Sequence, residues 1–219
     1  MKVLVAGATG VLGRQLVPRL AAEGHDVVGM TRSESKQGSV RALGATPVVA
    51  DALDREAVAR VVAEAQPEVI VHQLTALAGS LDMRRFDRDF ALTNRLRTEG
   101  TDHLLAAGRV VGVRRFVAQS FAGWPFARTG GLVKTEDDPL DADPPVAMRQ
   151  TLDALRYLEE AVIGADWTEG VVLRYGNLYG AGTALEQGSE QAELIRRRKF
   201  PVVGGGGGVW SFVDVEDAA

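Results

Sequence analysis

The chain contains no cysteine, which removes disulfides, thiolate metal sites and a cysteine nucleophile from consideration together. No stretch approaches the ~18 consecutive apolar residues of a membrane span. Met1 runs at once into Lys2-Val3-Leu4-Val5-Ala6, a strand-like segment, with no charged region ahead of an apolar signal core. The expectation is a cytoplasmic protein without a membrane partner. Cationic surface is scarce too: the net charge is −4, and lysine and arginine are scattered except at Arg196-Arg197-Arg198-Lys199. That run reads as the solvated end of a helix, where cations suit the helix dipole, so no nucleic-acid partner is expected.

Apolar residues make up 46% and charged residues 25% of the 219 positions, enough for one large core. Short β-rich runs alternate with helical patterns. Residues 3–6 form a strand, Leu12, Leu16 and Leu20 line one face of a helix, and residues 26–30 form the next strand, which together make a βαβ unit. Further strands are predicted at 46–50, 68–73, 115–119 and 170–174, with helices near 54–65, 87–108 and 147–164. The alternation predicts an α/β fold, a doubly wound parallel sheet with right-handed crossovers. Residues 1–180 form its nucleotide-binding domain, and 181–219 read as the start of a small substrate-binding region that breaks off.

Pro18 lies inside the first helix and predicts a bend. Leu152, Leu155, Leu158 and Val162 recur at helical spacing, a stripe for core packing or for a homodimer joined through the 87–108 and 147–164 helices. Residues 204–208 are five consecutive glycines, read as a flexible loop, followed by a short strand in 209–213 and a helix opening in 214–219.

The first strand ends in Gly7-Ala8-Thr9-Gly10-Val11-Leu12-Gly13. Three glycines after a strand and at the head of an amphipathic helix allow a tight turn, close approach to a pyrophosphate, and close helix–strand packing. The free N–H groups and dipole of the helix N-terminus attract the anion. Gly7, Thr9, Gly10, Val11, Leu12 and Gly13 are therefore candidates to hold a dinucleotide. The second strand ends in Met30-Thr31-Arg32-Ser33, where an acidic residue would hold the ribose hydroxyl of NAD. Arg32 has the planar donors for the 2′-phosphate of NADP, with Arg14 and Lys36 as helpers. NADP is the preferred cofactor, and Glu34 keeps NAD open.

These motifs and those that follow resemble the extended short-chain dehydrogenase/reductases, in particular the NAD(P)-dependent epimerase/dehydratase group. Asp51-Ala52 is similar to the segment that meets the adenine. Val69 to Thr75 is similar to the fourth strand, after which Leu74 and Thr75 would line the cofactor. Asn94, followed by Glu99-Gly100-Thr101, resembles an Asn-x-x-Gly-Thr helix. Val113 to Ser120 resembles the fifth strand with its active-site serine, and Leu173-Arg174-Tyr175-Gly176-Asn177-Leu178-Tyr179-Gly180 the sixth-strand motif near the nicotinamide. The resemblance implies Asp51, Ala52, Leu74, Thr75, Asn94, Ser120, Tyr175 and Asn177 as further cofactor contacts, and no metal.

It also implies a serine holding the substrate oxygen and a Tyr-x-x-x-Lys pair moving the proton and binding ribose. General acids and bases contribute on the order of 10²–10⁴ in rate, and this chain lacks the pair: its tyrosines are Tyr157, Tyr175 and Tyr179. Counting back from Glu159 puts the pair's positions at Thr151 and Leu155; counting from Ser120 less strictly puts them at Met148 and Leu152. Ser120, Thr151 and Tyr157 are the catalytic candidates, with Arg149 and Arg156 available for the charge. Tyr157 is otherwise a core residue among Leu155 and Leu158, and His72 a hydrogen-bonded core histidine. Three readings follow for a small-molecule substrate. One is an atypical oxidoreductase, epimerase or dehydratase acting on a carbonyl, hydroxyl or nucleotide sugar. The others are a non-redox enzyme and a non-catalytic dinucleotide sensor. The enzyme ranks first because Ser120 and the Asn177 motif accompany a complete cofactor loop.

The loop Phe121 to Arg128 carries Trp124 and Phe126, either as walls of an apolar ligand pocket or as core.

Overall fold

A computed structural model describes residues 1–77, 85–200 and 205–219. Strands β1 (Lys2–Ala6), β2 (Asp26–Thr31), β3 (Thr46–Val49), β4 (Val69–His72), β5 (Arg115–Phe121) and β6 (Glu169–Tyr175) form one parallel sheet in the order β3-β2-β1-β4-β5-β6. The doubly wound expectation is met. Chain direction across the sheet reverses between β1 and β4, which opens a crevice at their carboxyl ends.

The central strands read as unbroken apolar runs because both of their faces are covered, yet their alternation still sorts residues into two cores. Val3, Val5, Val69 and Val71 face α1 (Val11–Ala22) and α2 (Gln37–Ala42). Leu4, Ala6, Ile70, Phe116 and Ala118 face α3 (Arg55–Ala65), α6 (Thr101–Val111) and α7 (Arg149–Ile163). The α7 stripe Leu152, Leu155, Leu158 and Val162 is buried within this chain. Helix α1 runs continuously through Pro18, which sits on its exposed side.

The single helix expected near 87–108 is in fact a broken series: α4 (Phe86–Asp89), α5 (Ala91–Arg95), a π-helical turn at Leu96–Gly100, and α6. The hydroxyls of Thr98 and Thr101 donate to the carbonyls of Asn94 (3.1 Å) and Arg97 (2.7 Å), side-chain bonds that compete with the helical ladder. Farther on, β7 (Asn177–Tyr179) pairs in parallel with β8 (Phe212–Asp214), and α8 (Glu190–Arg196) lies between them in sequence. Asp214 then starts a helical turn, accepting from the Glu216 amide through its carboxylate and from the Ala218 amide through its carbonyl. Of the glycine run, Gly204 lies outside the described residues.

Candidate active site

The glycine turn closes over the crevice between β1 and β4. Gly7 adopts a left-handed φ of 99°, and a Cβ there would lie 2.7 Å from the Gln73 carbonyl oxygen at the end of β4. At Gly13 a Cβ would lie 2.8 Å from backbone atoms of Ala8. Both positions are closed to side chains by rigid backbone. Helix α1 has no side-chain cap and no acidic residue in its first turn, whereas α3 is capped by Asp54, which accepts from the Glu56 and Ala57 amides. The open amides of α1 and the cradle at Gly7 fit an anionic pyrophosphate. Gln73 adds a buried side-chain oxygen without a partner at the same edge.

Around this turn the structure places the other cofactor candidates unevenly. Arg32 is exposed directly after β2, beside the turn Glu34–Lys36. The Arg14 guanidinium instead reaches toward Gly182. Asp51 accepts from the Leu53 amide and begins a turn; Ala52 is buried, and its carbonyl meets the ring of His103. Leu74 is half-buried with its amide donating to His72, and Thr75 is exposed. Tyr175 ends β6; burial pushes its phenol up, and the Gln73 side chain beside it pulls partly back. The Asn177 amide group donates to the Ser211 carbonyl at 3.2 Å.

The catalytic candidates fall into three separate networks. Ser120, buried at the end of β5, donates to Glu159 of α7. The Glu159 carboxylate is clamped by Arg174 of β6, with Arg174 Nη2 at 2.7 Å and Nε at 3.0 Å. That pair is mostly buried, the setting in which losing one partner costs about 3–5 kcal/mol, so Ser120 is held firmly. Thr151 lies two turns earlier on α7. Its hydroxyl donates to Asp87 of α4 at 2.7 Å and accepts from the Asn94 amide group at 3.1 Å. Helix α7 has neither a cap of its own nor an acidic first turn. Asp87 serves instead, accepting from the Gln150 and Thr151 amides. Tyr157 is not a core residue: it is 42% exposed, and its hydroxyl donates to Asp102 of α6. That carboxylate holds the phenol above its ordinary pKa.

Each of the three candidate hydroxyls thus donates its hydrogen bond to a carboxylate. Leu155 is buried, so no ammonium enters there. Sequence reasoning did not find Asp87, Arg97 or the Gln73 oxygen. Arg97 sits within the quoted 94–101 motif, but nothing in its spacing signals burial, and Asp87 lies 63 residues from Gln150.

His72 is a core histidine. Its Nδ1 accepts from the Leu74 amide at 3.2 Å, so Nε2 carries the proton and donates to Thr101 Oγ1 at 3.1 Å. Near the end of β5, Trp124 packs edge-on against Phe86 at 5.4 Å, and Phe126 lies under the Arg174 guanidinium. Both also line an open cleft of about 1070 Å³ with Glu159, Tyr175 and Trp210.

Comparison with known proteins gives the family and the fold. Residues 3–219 match the NAD dependent epimerase/dehydratase family. The chain is 47% identical, over its whole length and 69% of the relative's, to a 3-diazoavenalumate denitrifying reductase of a Streptomyces species. It is 33% identical over 152 residues to a UDP-glucose 4-epimerase of Mycolicibacterium smegmatis, 67% of this chain and 47% of that protein. Among solved structures, the Thermus thermophilus UDP-glucose 4-epimerase complex with NAD superposes with a TM-score of 0.73 at 23% identity, covering all of this chain and 72% of that one. The last likeness is one of fold.

Proposed function

We propose, from the premise that the chain belongs to the NAD-dependent epimerase/dehydratase family, that it is a nicotinamide-dependent reductase that removes the diazo group from an aromatic diazonium substrate. The observation that carries the reading is the commitment of the Ser120, Thr151 and Tyr157 protons to Glu159, Asp87 and Asp102. Reducing a carbonyl requires a donor to protonate the forming alkoxide, and these hydroxyls do not offer one. Reductive denitrification requires none. The diazonium carbon gains a hydrogen with its electron pair, the C–N bond breaks, and that bond's electrons leave on dinitrogen. A bound nicotinamide supplies that hydride and is left oxidised.

The residues then act by positioning. Ser120, buried and donating to Glu159, holds that carboxylate in place at the cleft wall. Trp124 and Phe126 line the adjacent cleft, where an aryl group stacks; arenes are the diazonium ions persistent enough to bind. The Streptomyces relative's name supports the substrate class. The relation to a UDP-glucose 4-epimerase supports a second reading, hydride exchange at a carbonyl or hydroxyl carbon. In that reading Tyr175 would be the proton donor, a role opposed by its raised pKa and by the lack, among the described residues, of a lysine acting on it.

The test offers the protein an arenediazonium and NADPH deuterated at C4, with a protein-free control. Expected are dinitrogen release and deuterium at the vacated ring carbon. Preferential reduction of ketones or nucleotide sugars would overturn the substrate class, and cofactor affinity without any turnover would make the protein a sensor.

NADP is the preferred cofactor in this reading, because Arg32 is exposed where a 2′-phosphate would emerge from β2. Charge-assisted hydrogen bonds of this kind are worth about 1.5–3 kcal/mol. Arg32→Ala is accordingly expected to weaken NADPH binding roughly 10- to 100-fold and leave NADH binding unchanged, as read by fluorescence titration. Equal losses for both would count against the assignment.

A further inference from the structure

The cleft beside the ends of β5 and β6 carries unbalanced charge. Arg128, Lys134 and Arg174 line it with Glu136 and Glu159, three cations against two carboxylates. Arg174 is committed: it clamps Glu159, and its Nη1 donates to the Glu136 carbonyl at 3.3 Å. Lys134 is committed as well, donating to the Thr129 carbonyl and pairing with Asp138 at 3.7 Å. Arg128 is the lining cation that has neither an ion pair nor a hydrogen bond among the described residues, and it is exposed.

The backbone that presents Arg128 is fastened in place. The Ala127 amide donates to the Pro139 carbonyl at 2.9 Å and the Asp141 amide to the Pro125 carbonyl at 2.7 Å, an antiparallel bridge at Phe126 and Leu140. Arg156 of α7 donates to the Asp141 carbonyl, and the buried Phe126 ring lies 5.5 Å from the Arg174 guanidinium. The root of Arg128 is therefore fixed relative to the network of Arg174, Glu159 and Ser120, and a guanidinium on a pre-set backbone loses less freedom when a ligand arrives. Ala127, Arg128 and Thr129 also line a second cavity of about 710 Å³, which Glu159 and Tyr175 do not. Arg128 thus marks the side of the cleft that opens away from the strand ends. Between the two sides the wall is apolar, with Trp124, Phe126 and the exposed Leu132 and Val133.

We propose that the cleft takes an aryl carboxylate, its ring against Trp124 and Phe126 and its carboxylate on the Arg128 guanidinium, so that Arg128 selects substrates with an anionic group remote from the reacting carbon. An inorganic anion has no use for the aromatic wall, and a neutral arene leaves the surplus charge unanswered. A planar carboxylate answers both, because its two oxygens match the guanidinium fork. The inference rests on the arenediazonium reading above for the reacting group; the binding site rests on the cleft.

Calorimetric titration with 2-naphthoate, its neutral isostere 2-naphthamide, and octanoate tests the site without turnover. Wild type is expected to bind 2-naphthoate roughly 5- to 20-fold more tightly than either of the others, the scale of one charge-assisted pair open to solvent. Arg128→Gln is expected to bring 2-naphthoate down to the level of 2-naphthamide, and Arg128→Lys to keep part of the preference, since the charge stays and the fork is lost. On the unaltered protein, about 0.5 M salt is expected to narrow the gap between acid and amide, an arm that needs no variant to fold. Equal affinity for acid and amide in wild type, or an undiminished preference in a folded Arg128→Gln protein, would overturn the proposal. Octanoate binding as tightly as 2-naphthoate would overturn its aromatic half. With NADPH, 4-carboxybenzenediazonium is expected to show a lower KM than 4-carbamoylbenzenediazonium, a gap that closes in Arg128→Gln. No dinitrogen from either, with the preference for 2-naphthoate intact, would sink the denitrification reading and leave the Arg128 site standing.

Discussion

Valine at Gly13 is expected to abolish dinucleotide binding, lowering affinity at least ~100-fold, the scale of several lost anion contacts. A Cβ at this position meets backbone atoms of Ala8 at 2.8 Å, and backbone cannot rotate away as a side chain does. Helix α1 must therefore shift along or away from β1, which carries its first amides out of line with the turn at Gly7. Overpacking of this kind costs about 1–3 kcal/mol in stability. Titration with NADPH, alongside circular dichroism showing a folded variant, reads the effect. Wild-type affinity in a folded Gly13→Val protein would show that the α1 N-terminus does not hold the cofactor.

Acidification is expected to remove about 3 kcal/mol of stability through His72 alone, since each unit of pKa shift is worth about 1.4 kcal/mol. Burial, chiefly, and the Arg97 charge beside it lower the His72 pKa from 6.5 to about 4. The folded state keeps the imidazole neutral where the unfolded chain protonates it. The contribution is therefore complete above pH 6.5 and is lost progressively as pH falls toward 4. Denaturant midpoints between pH 7.5 and 4.5 measure the slope. His72→Gln is expected to be less stable at pH 7.5, having lost the bond to Thr101, but to decline more slowly below pH 6.5. Parallel declines in the two proteins would mean that His72 is not the buried titrating group.

Much of the fold was legible because local patterns carried it. The apolar runs of β1 and β4 are short and bounded by turn residues, and the Leu12 face and the α7 stripe repeat at helical spacing. The glycine turn was legible for a similar reason: Gly7 and Gly13 are required by contacts within a strand–turn–helix of a dozen residues. Near 87–108 the same reasoning overran. Apolar spacing continued while Thr98 and Thr101 diverted backbone carbonyls, a competition that periodicity does not register. Tyr157 stands between Leu155 and Leu158 in sequence, yet on the outer side of α7, where its hydroxyl donates a hydrogen bond to Asp102.

The sequence by itself determined the parallel sheet, the glycine turn at Gly7 and the loss of the tyrosine and lysine, because each depends on residue type at short range. Only the tertiary structure decided which hydroxyls have a proton to give. Ser120 meets Glu159 from 39 residues away and Thr151 meets Asp87 from 64, and such pairings depend on how α4 and α7 cross the sheet. Packing also buries Arg97, with no carboxylate paired to it among the described residues. A side chain's chemistry follows from what touches it, and those contacts arise only when distant segments pack.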